Sequence, residues 1–142
     1  MDHSQISLQK QQARKQAKQV RKHLHENQRN IAAQHLLRFA PDLIDKFTSS
    51  IVAGFLPIFT EIDIIPLMAA LAEKHCQLCL PVTPEKPSAL CFRAYAPGQE
   101  LEAGPLNTKH PDASSHQLIP DLVLLPSLAF DMRYNRRGDG GG

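Results

Sequence analysis

Ile51-Val52-Ala53-Gly54-Phe55-Leu56 and Gln77-Leu78-Cys79-Leu80-Pro81-Val82, separated by the segment Glu61 to Lys74, set the architecture of this 142-residue chain. The first is a short apolar run closed by Pro57, the pattern of a strand buried on both faces. The middle segment reads as a helix, with Asp63 as N-cap, Pro66 in its first turn and Leu67, Met68, Leu71 and Ala72 turned inward. A strand, a helix and a strand within about 30 residues form a βαβ unit, and so a parallel pair with a right-handed crossover.

Toward the C-terminus, the proline-rich turn Pro84-Glu85-Lys86-Pro87 precedes a weakly alternating third strand, Ala89 to Tyr95. Residues Pro97 to Ser115 read as a long loop, and a long loop inside a compact domain is more often functional than idle. Asp121-Leu122-Val123-Leu124-Leu125-Pro126 is a further buried strand. Open α/β sheets bind ligands beyond the carboxyl ends of their parallel strands. Three features are expected to converge there: Leu56 to Glu61, the loop at 104–111, and the segment after Phe130. The fold class expected is α/β, a three-layer arrangement with a mostly parallel or mixed sheet flanked by helices and preceded by a basic helix.

Toward the N-terminus, residues 7 to about 39 contain no glycine or proline and read as a helix broken at Pro41. At about 100° per residue, Ala13, Ala17, Val20, Leu24 and Ile31 share one stripe and form the expected docking face. Lys10, Arg14, Lys18 and Arg21 occupy the neighbouring stripe, either a solvated surface or a binding face for anions. Nine of the sixteen basic residues fall before residue 50 (Lys10, Arg14, Lys15, Lys18, Arg21, Lys22, Arg29, Arg38 and Lys46), so this is the electropositive end.

The segment Arg136-Arg137-Gly138-Asp139-Gly140-Gly141-Gly142 combines fork-shaped donors with glycines that let successive N–H groups turn toward one point, the composition of a phosphate nest. Taken alone, it reads equally well as a frayed end.

Bulk properties narrow the classes. A net charge of +2, 6% aromatic residues and no Trp argue against a nucleic-acid module, although a basic helix for polyanions stays open. No apolar run approaches the roughly 20 residues of a membrane span, and the polar start lacks the apolar core of a secretion signal, so a cytoplasmic location is expected. Three cysteines fit reduced thiols better than a disulfide framework. Cys76 and Cys79 form a C-x-x-C, read here as small buried hydrophobes rather than a zinc or redox pair.

These residues, in this order, resemble the 5-formyltetrahydrofolate cyclo-ligases, also called methenyltetrahydrofolate synthetases. The resemblance rests on Lys10-x-x-x-Arg14 with Arg21, Phe55-Leu56 with Glu61-Ile62-Asp63, Leu80-Pro81-Val82, Tyr95-Ala96-Pro97-Gly98, Pro120 to Pro126, Leu128-Ala129-Phe130-Asp131, and Arg136-x-Gly138-x-Gly140-Gly141-Gly142. It implies an enzyme that uses ATP and Mg2+ to convert 5-formyltetrahydrofolate into 5,10-methenyltetrahydrofolate. It also implies an ATP-phosphate site made by Lys10 and Arg14 together with Arg136, Arg137, Gly138, Asp139, Gly140, Gly141 and Gly142. Leu56 and Glu61 would line the folate pocket, the first by apolar contact and the second by accepting hydrogen bonds from pterin N–H groups.

The family commonly has glycine at the position of Tyr134, an apolar residue at Arg137 and glutamate at His110. Its members continue beyond the glycines with Tyr-Tyr-Asp-Arg, a helix and strands, and its magnesium carboxylate lies there, so no metal ligand is expected in this sequence. Residues 1–142 are accordingly expected to form one incomplete domain: a basic helix at 1–40, an α/β core at 51–126 and the start of a phosphate loop at 127–142. A monomer acting on a small molecule, without nucleic acid or membrane, is expected. A folate-binding remnant without turnover is the alternative.

Overall fold

The computed structural model describes residues 2–48, 50–85 and 87–138. Lys86 of the expected proline turn, and Asp139 with Gly140, Gly141 and Gly142 of the expected nest, lie outside the described residues.

Helix α1 spans His3–Leu36. It starts four residues earlier than periodicity suggests because Asp2 caps it, its carboxylate accepting from the backbone N–H of Gln5 at 2.9 Å. Helical backbone then runs on through a tight turn at Leu37–Phe39 into α2, Ala40–Asp45. Pro41 stands in the first turn of α2, where its missing N–H costs nothing, so it begins one helix instead of ending another.

The sheet is mixed, as the αβ pattern implies. Strands β1 (Ile51–Ala53) and β2 (Gln77–Val82) pair in parallel, with Val52 opposite Leu78. Strand β3 (Cys91–Tyr95) runs antiparallel to β2, and its register sets Leu80 opposite Arg93. Helix α3 (Ile65–Glu73) crosses between β1 and β2 and packs on β2, while α1 and α2 pack on α3.

Val52, Ala53 and Leu71 are fully enclosed, and Phe55, Met68 and Leu80 join them in one core. Gly54 is what lets β1 approach α3: a Cβ there would lie 2.1 Å from Met68 Sδ. Helix α3 begins at Ile65 instead of Glu61 because the preceding side chains serve the loop. Asp63 Oδ1 accepts from the Ile65 N–H at 2.9 Å, and Glu61 closes a turn at 58–61.

The stretch from 97 to 115 is more ordered than a loop. It holds a hairpin of β4 (Glu102–Ala103) and β5 (Lys109–His110) around a tight turn at Pro105–Asn107. Leu106 and Asn107 both take left-handed backbone there, at φ of 57° and 60°. Strand β6 (Gln117–Leu118) then pairs with β3, and β7 (Leu122–Val123) pairs in parallel with β1, for an order β6-β3-β2-β1-β7.

Strand β7 is shorter than the apolar run 121–126 suggests and is not buried on both faces. As the edge of the described sheet it leaves Val123 42% exposed. Its start is fixed by Asp121, whose Oδ2 accepts from the N–H and hydroxyl of Ser50 and the N–H of Ile51. Those bonds, the Ser50 N–H foremost, hold the Asp121 carboxyl below its ordinary value.

The docking face of α1 is rotated from the one that apolar periodicity selects, so that Ala17, Val20 and Leu24 of the expected stripe line the cleft beside it. Val20, Leu24 and Ile31 are 61%, 46% and 55% exposed, whereas Arg14, Ala17, Arg21, His25 and Leu36 are half-buried and Ala33 is buried. The stripe that faces the body therefore contains the arginines.

Candidate active site

Two clefts meet at the turn 58–61. The first, of about 490 Å³, opens at the carboxyl ends of the parallel strands β1, β2 and β7. Leu56 and Ile58 come from the segment after β1, Leu80 from β2, Phe92 from β3 and Leu124 from the end of β7. Glu61 and Lys109 bring charge to this mainly apolar wall. A mainly apolar cleft with a few polar groups is the usual lining of a small-molecule site.

The second cleft, of about 650 Å³, separates α1 from the turn at 60–63 and from residues 125–130. Arg21, His25 and Arg29 line its helix side, and Thr60 and Glu61 face them. Glu61 thus belongs to both clefts. Its Oε1 accepts from the Ile58 N–H at 2.9 Å, and its own N–H donates to the Ile58 carbonyl at 3.1 Å, so the carboxylate is fixed by the turn it closes.

The described part of the segment around Phe130 is a hairpin. Strands β8 (Ala129–Phe130) and β9 (Arg136–Arg137) pair antiparallel, with Phe130 opposite Arg136. Asp131 organises the connection, its carboxylate accepting from the Arg133 and Asn135 N–H groups and from Asn135 Nδ2. These bonds, the Asn135 side chain first, depress the Asp131 carboxyl below its ordinary value. Tyr134 sits at φ 66°, so the position where the family commonly has glycine does require left-handed backbone.

Arg136 and Arg137 are consecutive on a strand and so project to opposite faces; the first is exposed and the second half-buried. Gly138 follows them and meets α1, where Arg14 Nε donates to the Gly138 carbonyl at 3.4 Å across 124 residues of sequence. Lys10 lies exposed one turn before Arg14. Of the residues read from the sequence, Leu56 and Glu61 therefore share one cleft, and Arg14 and Gly138 share one seam.

The loop at 104–111 contributes through Asn107, Thr108 and Lys109, which line the first cleft. His110 turns into its own hairpin, Nδ1 lying 2.9 Å from the Pro111 carbonyl oxygen. Sequence reasoning also passed over Thr60, to whose Oγ1 Arg21 Nε donates at 2.9 Å. The signal for Arg21 was its spacing of seven from Arg14, which returns to the same side of a helix; nothing local marks Thr60.

All three cysteines are thiols. Burial, followed by the charge of Asp121, pushes Cys79 up to about 11, and its Sγ lies 3.8 Å from the Val52 carbonyl, so it is an inert core residue. Among the described residues no three His, Cys, Asp or Glu side chains come together as a metal-ligand set. Among the same residues no helix is long and apolar enough to cross a membrane.

A mixed α/β sheet with one cleft at its parallel strand ends, and a second cleft beside it walled by a cationic helix, defines a small α/β domain of the kind that binds ligands at its strand ends. Residues 6–142 match the model of the 5-formyltetrahydrofolate cyclo-ligase family, and the chain belongs to that family of ligases.

It is 27% identical over 138 residues to the 5-formyltetrahydrofolate cyclo-ligase of Haemophilus influenzae, covering 94% of this chain and 74% of that protein. To the enzyme of the same name from Escherichia coli K12 it is 30% identical over 116 residues, 78% of this chain and 62% of the relative. The NMR structure of Aquifex aeolicus 5,10-methenyltetrahydrofolate synthetase superposes with a TM-score of 0.74 at 26% identity, over 94% of this chain and 68% of that one. The chain thus spans between about three fifths and three quarters of the length of these relatives.

Proposed function

We propose that this domain binds 5-formyltetrahydrofolate in the cleft at the strand ends and ATP along the seam of α1 and the β8–β9 hairpin, and closes the folate to 5,10-methenyltetrahydrofolate. The observation that carries this reading is the position of Glu61, fixed in its turn and lining both clefts, next to the helix that bears Lys10 and Arg14.

The chemical obstacle is a formamide oxygen, a poor leaving group. Transfer of the γ-phosphoryl from ATP to that oxygen makes an imidate-like phosphate. The N10 amine then attacks the formyl carbon, the ring closes with loss of the N10 proton, and inorganic phosphate leaves.

Such a sequence asks the protein for position and charge rather than for a nucleophile. Leu56 and the apolar wall would hold the pterin, and the Glu61 carboxylate would accept from its N–H groups. Lys10 and Arg14, one helical turn apart, would stabilise the phosphates, the Arg14 guanidinium exchanging the Gly138 carbonyl for a phosphate oxygen. Magnesium would neutralise charge on the bound nucleotide. The same reading makes the protein a cytoplasmic monomer.

Mixing the protein with 5-formyltetrahydrofolate, ATP and magnesium should raise absorbance at the methenyl product's band. Binding of folate without that rise would establish a binding protein without turnover, and failure to bind either ligand would overturn the reading.

A further inference from the structure

Thr60 sits in the turn that presents Glu61, and this turn is not one the local sequence prefers. Phe59 takes left-handed backbone at φ 54°, a conformation that L-residues other than glycine, asparagine and aspartate rarely hold without outside support. From inside, the turn is closed by Glu61 on Ile58. From outside it is held by α1, through the Arg21 Nε bond to Thr60 Oγ1, a partly buried contact at 2.9 Å between residues 39 apart in sequence. Arg21, Thr60 and Glu61 line the same cleft.

Arg21 is also two turns along α1 from Arg14, on the same side of the helix and roughly 10 Å away along its axis. The arginine that meets the hairpin and the arginine that meets the substrate turn are thus two points on one rigid rod.

We propose that Arg21 is a positioning residue for the folate end of the site: through Thr60 it holds the turn that aims the Glu61 carboxylate, and so registers the folate cleft against the helix that carries the phosphate-binding cations. The proposal rests on the reading of Glu61 as a folate contact given above. It assigns Arg21 no contact with the reacting atoms. A plain clamp holding α1 to the body would affect stability alone, whereas a positioning bond affects the affinity of one ligand at unchanged stability.

Calorimetric titration of the whole chain with 5-formyltetrahydrofolate, and separately with a non-hydrolysable ATP analogue, distinguishes the two. Thr60→Val keeps the shape of the side chain and removes the acceptor, and it should weaken folate binding about tenfold, the size of one charge-assisted hydrogen bond, with the ATP analogue bound as before. Thr60→Ser, which keeps the hydroxyl, should bind folate as the wild type does. Arg21→Met should weaken folate binding at least as much as Thr60→Val, and the double variant should be no weaker than Arg21→Met alone, because the bond to Thr60 is then already gone.

Glu61→Gln separates this proposal from the reading beneath it. If Glu61→Gln binds folate at full strength, the role of Glu61 fails and the proposal fails with it. If Glu61→Gln is weakened while Thr60→Val is not, or if Thr60→Val lowers the melting temperature and leaves folate affinity intact, Arg21 is a structural clamp and the proposal is overturned while the function stands.

Discussion

The cleft at the strand ends and the seam between α1 and the β8–β9 hairpin are built to different standards. The cleft is walled by segments that leave enclosed strands: Val52 and Ala53 are fully buried in the strand that leads to Leu56, and Leu80 is itself a core residue. The seam joins a long helix with one half-buried side to a two-residue-per-strand hairpin whose Phe130, Met132 and Tyr134 are largely exposed, and Arg14 reaches it through a long hydrogen bond. One half of the proposed site is preorganised by the core, and the other is assembled from a few contacts between distant parts of the chain. Core elements open only with global unfolding, while such seams open locally at small cost.

The largest effect expected is at the core end. Gly54→Ala puts a methyl group 2.1 Å from the Met68 sulfur in a site where Met68 is itself enclosed, and it should cost about 1–3 kcal/mol of stability and disturb the cleft with it. Chemical denaturation reads this directly; an unchanged midpoint would mean that the core does not hold the cleft.

Next comes the seam. Lys10→Ala and Arg14→Ala should each weaken ATP binding about tenfold, while the melting temperature and folate affinity stay near the wild-type values. Loss of stability in Arg14→Ala comparable to that in Gly54→Ala would erase the contrast between the two halves.

The smallest effects concern two aspartates whose carboxyls are both held below the ordinary value of 3.8, one in each region. A depressed carboxyl contributes stability that is whole above the ordinary value and is lost as the pH falls through the lower, folded one. Asp121→Asn should therefore lower the melting temperature at neutral pH, and the gap to wild type should close on acidification below pH 3.8. Asp131→Asn should leave global melting almost unchanged and speed amide exchange in the hairpin alone, because its bonds to Arg133 and Asn135 tie only that turn. Mass-resolved hydrogen exchange of the two variants checks both.

Much of this was legible before any coordinates. The βαβ unit, the inward residues of α3, the inert C-x-x-C and the location of Leu56 and Glu61 at a strand end follow from local patterns of burial and turn chemistry. Three things were not. The hairpin at 129–137 hides because two-residue strands leave no periodic trace, and its turn depends on Asp131 accepting from three donors. The edge exposure of β7 hides because an apolar run looks the same in the middle of a sheet and at its rim. The docked side of α1 hides because hydrophobicity is the usual guide to burial; here the partner surface is a cleft lined by Thr60 and Glu61, and the half-buried Arg21 reaches across it to donate from Nε to Thr60.

Residue order alone therefore determined the class of fold, the family resemblance and a set of candidate side chains, because strand and helix periodicities and motif spacing are local properties. Tertiary structure settled which of those side chains meet. Arg14 with Gly138, Arg21 with Thr60, and Glu61 between two clefts are pairings across many residues of chain, set by how helices and sheet edges pack, and no local pattern encodes them.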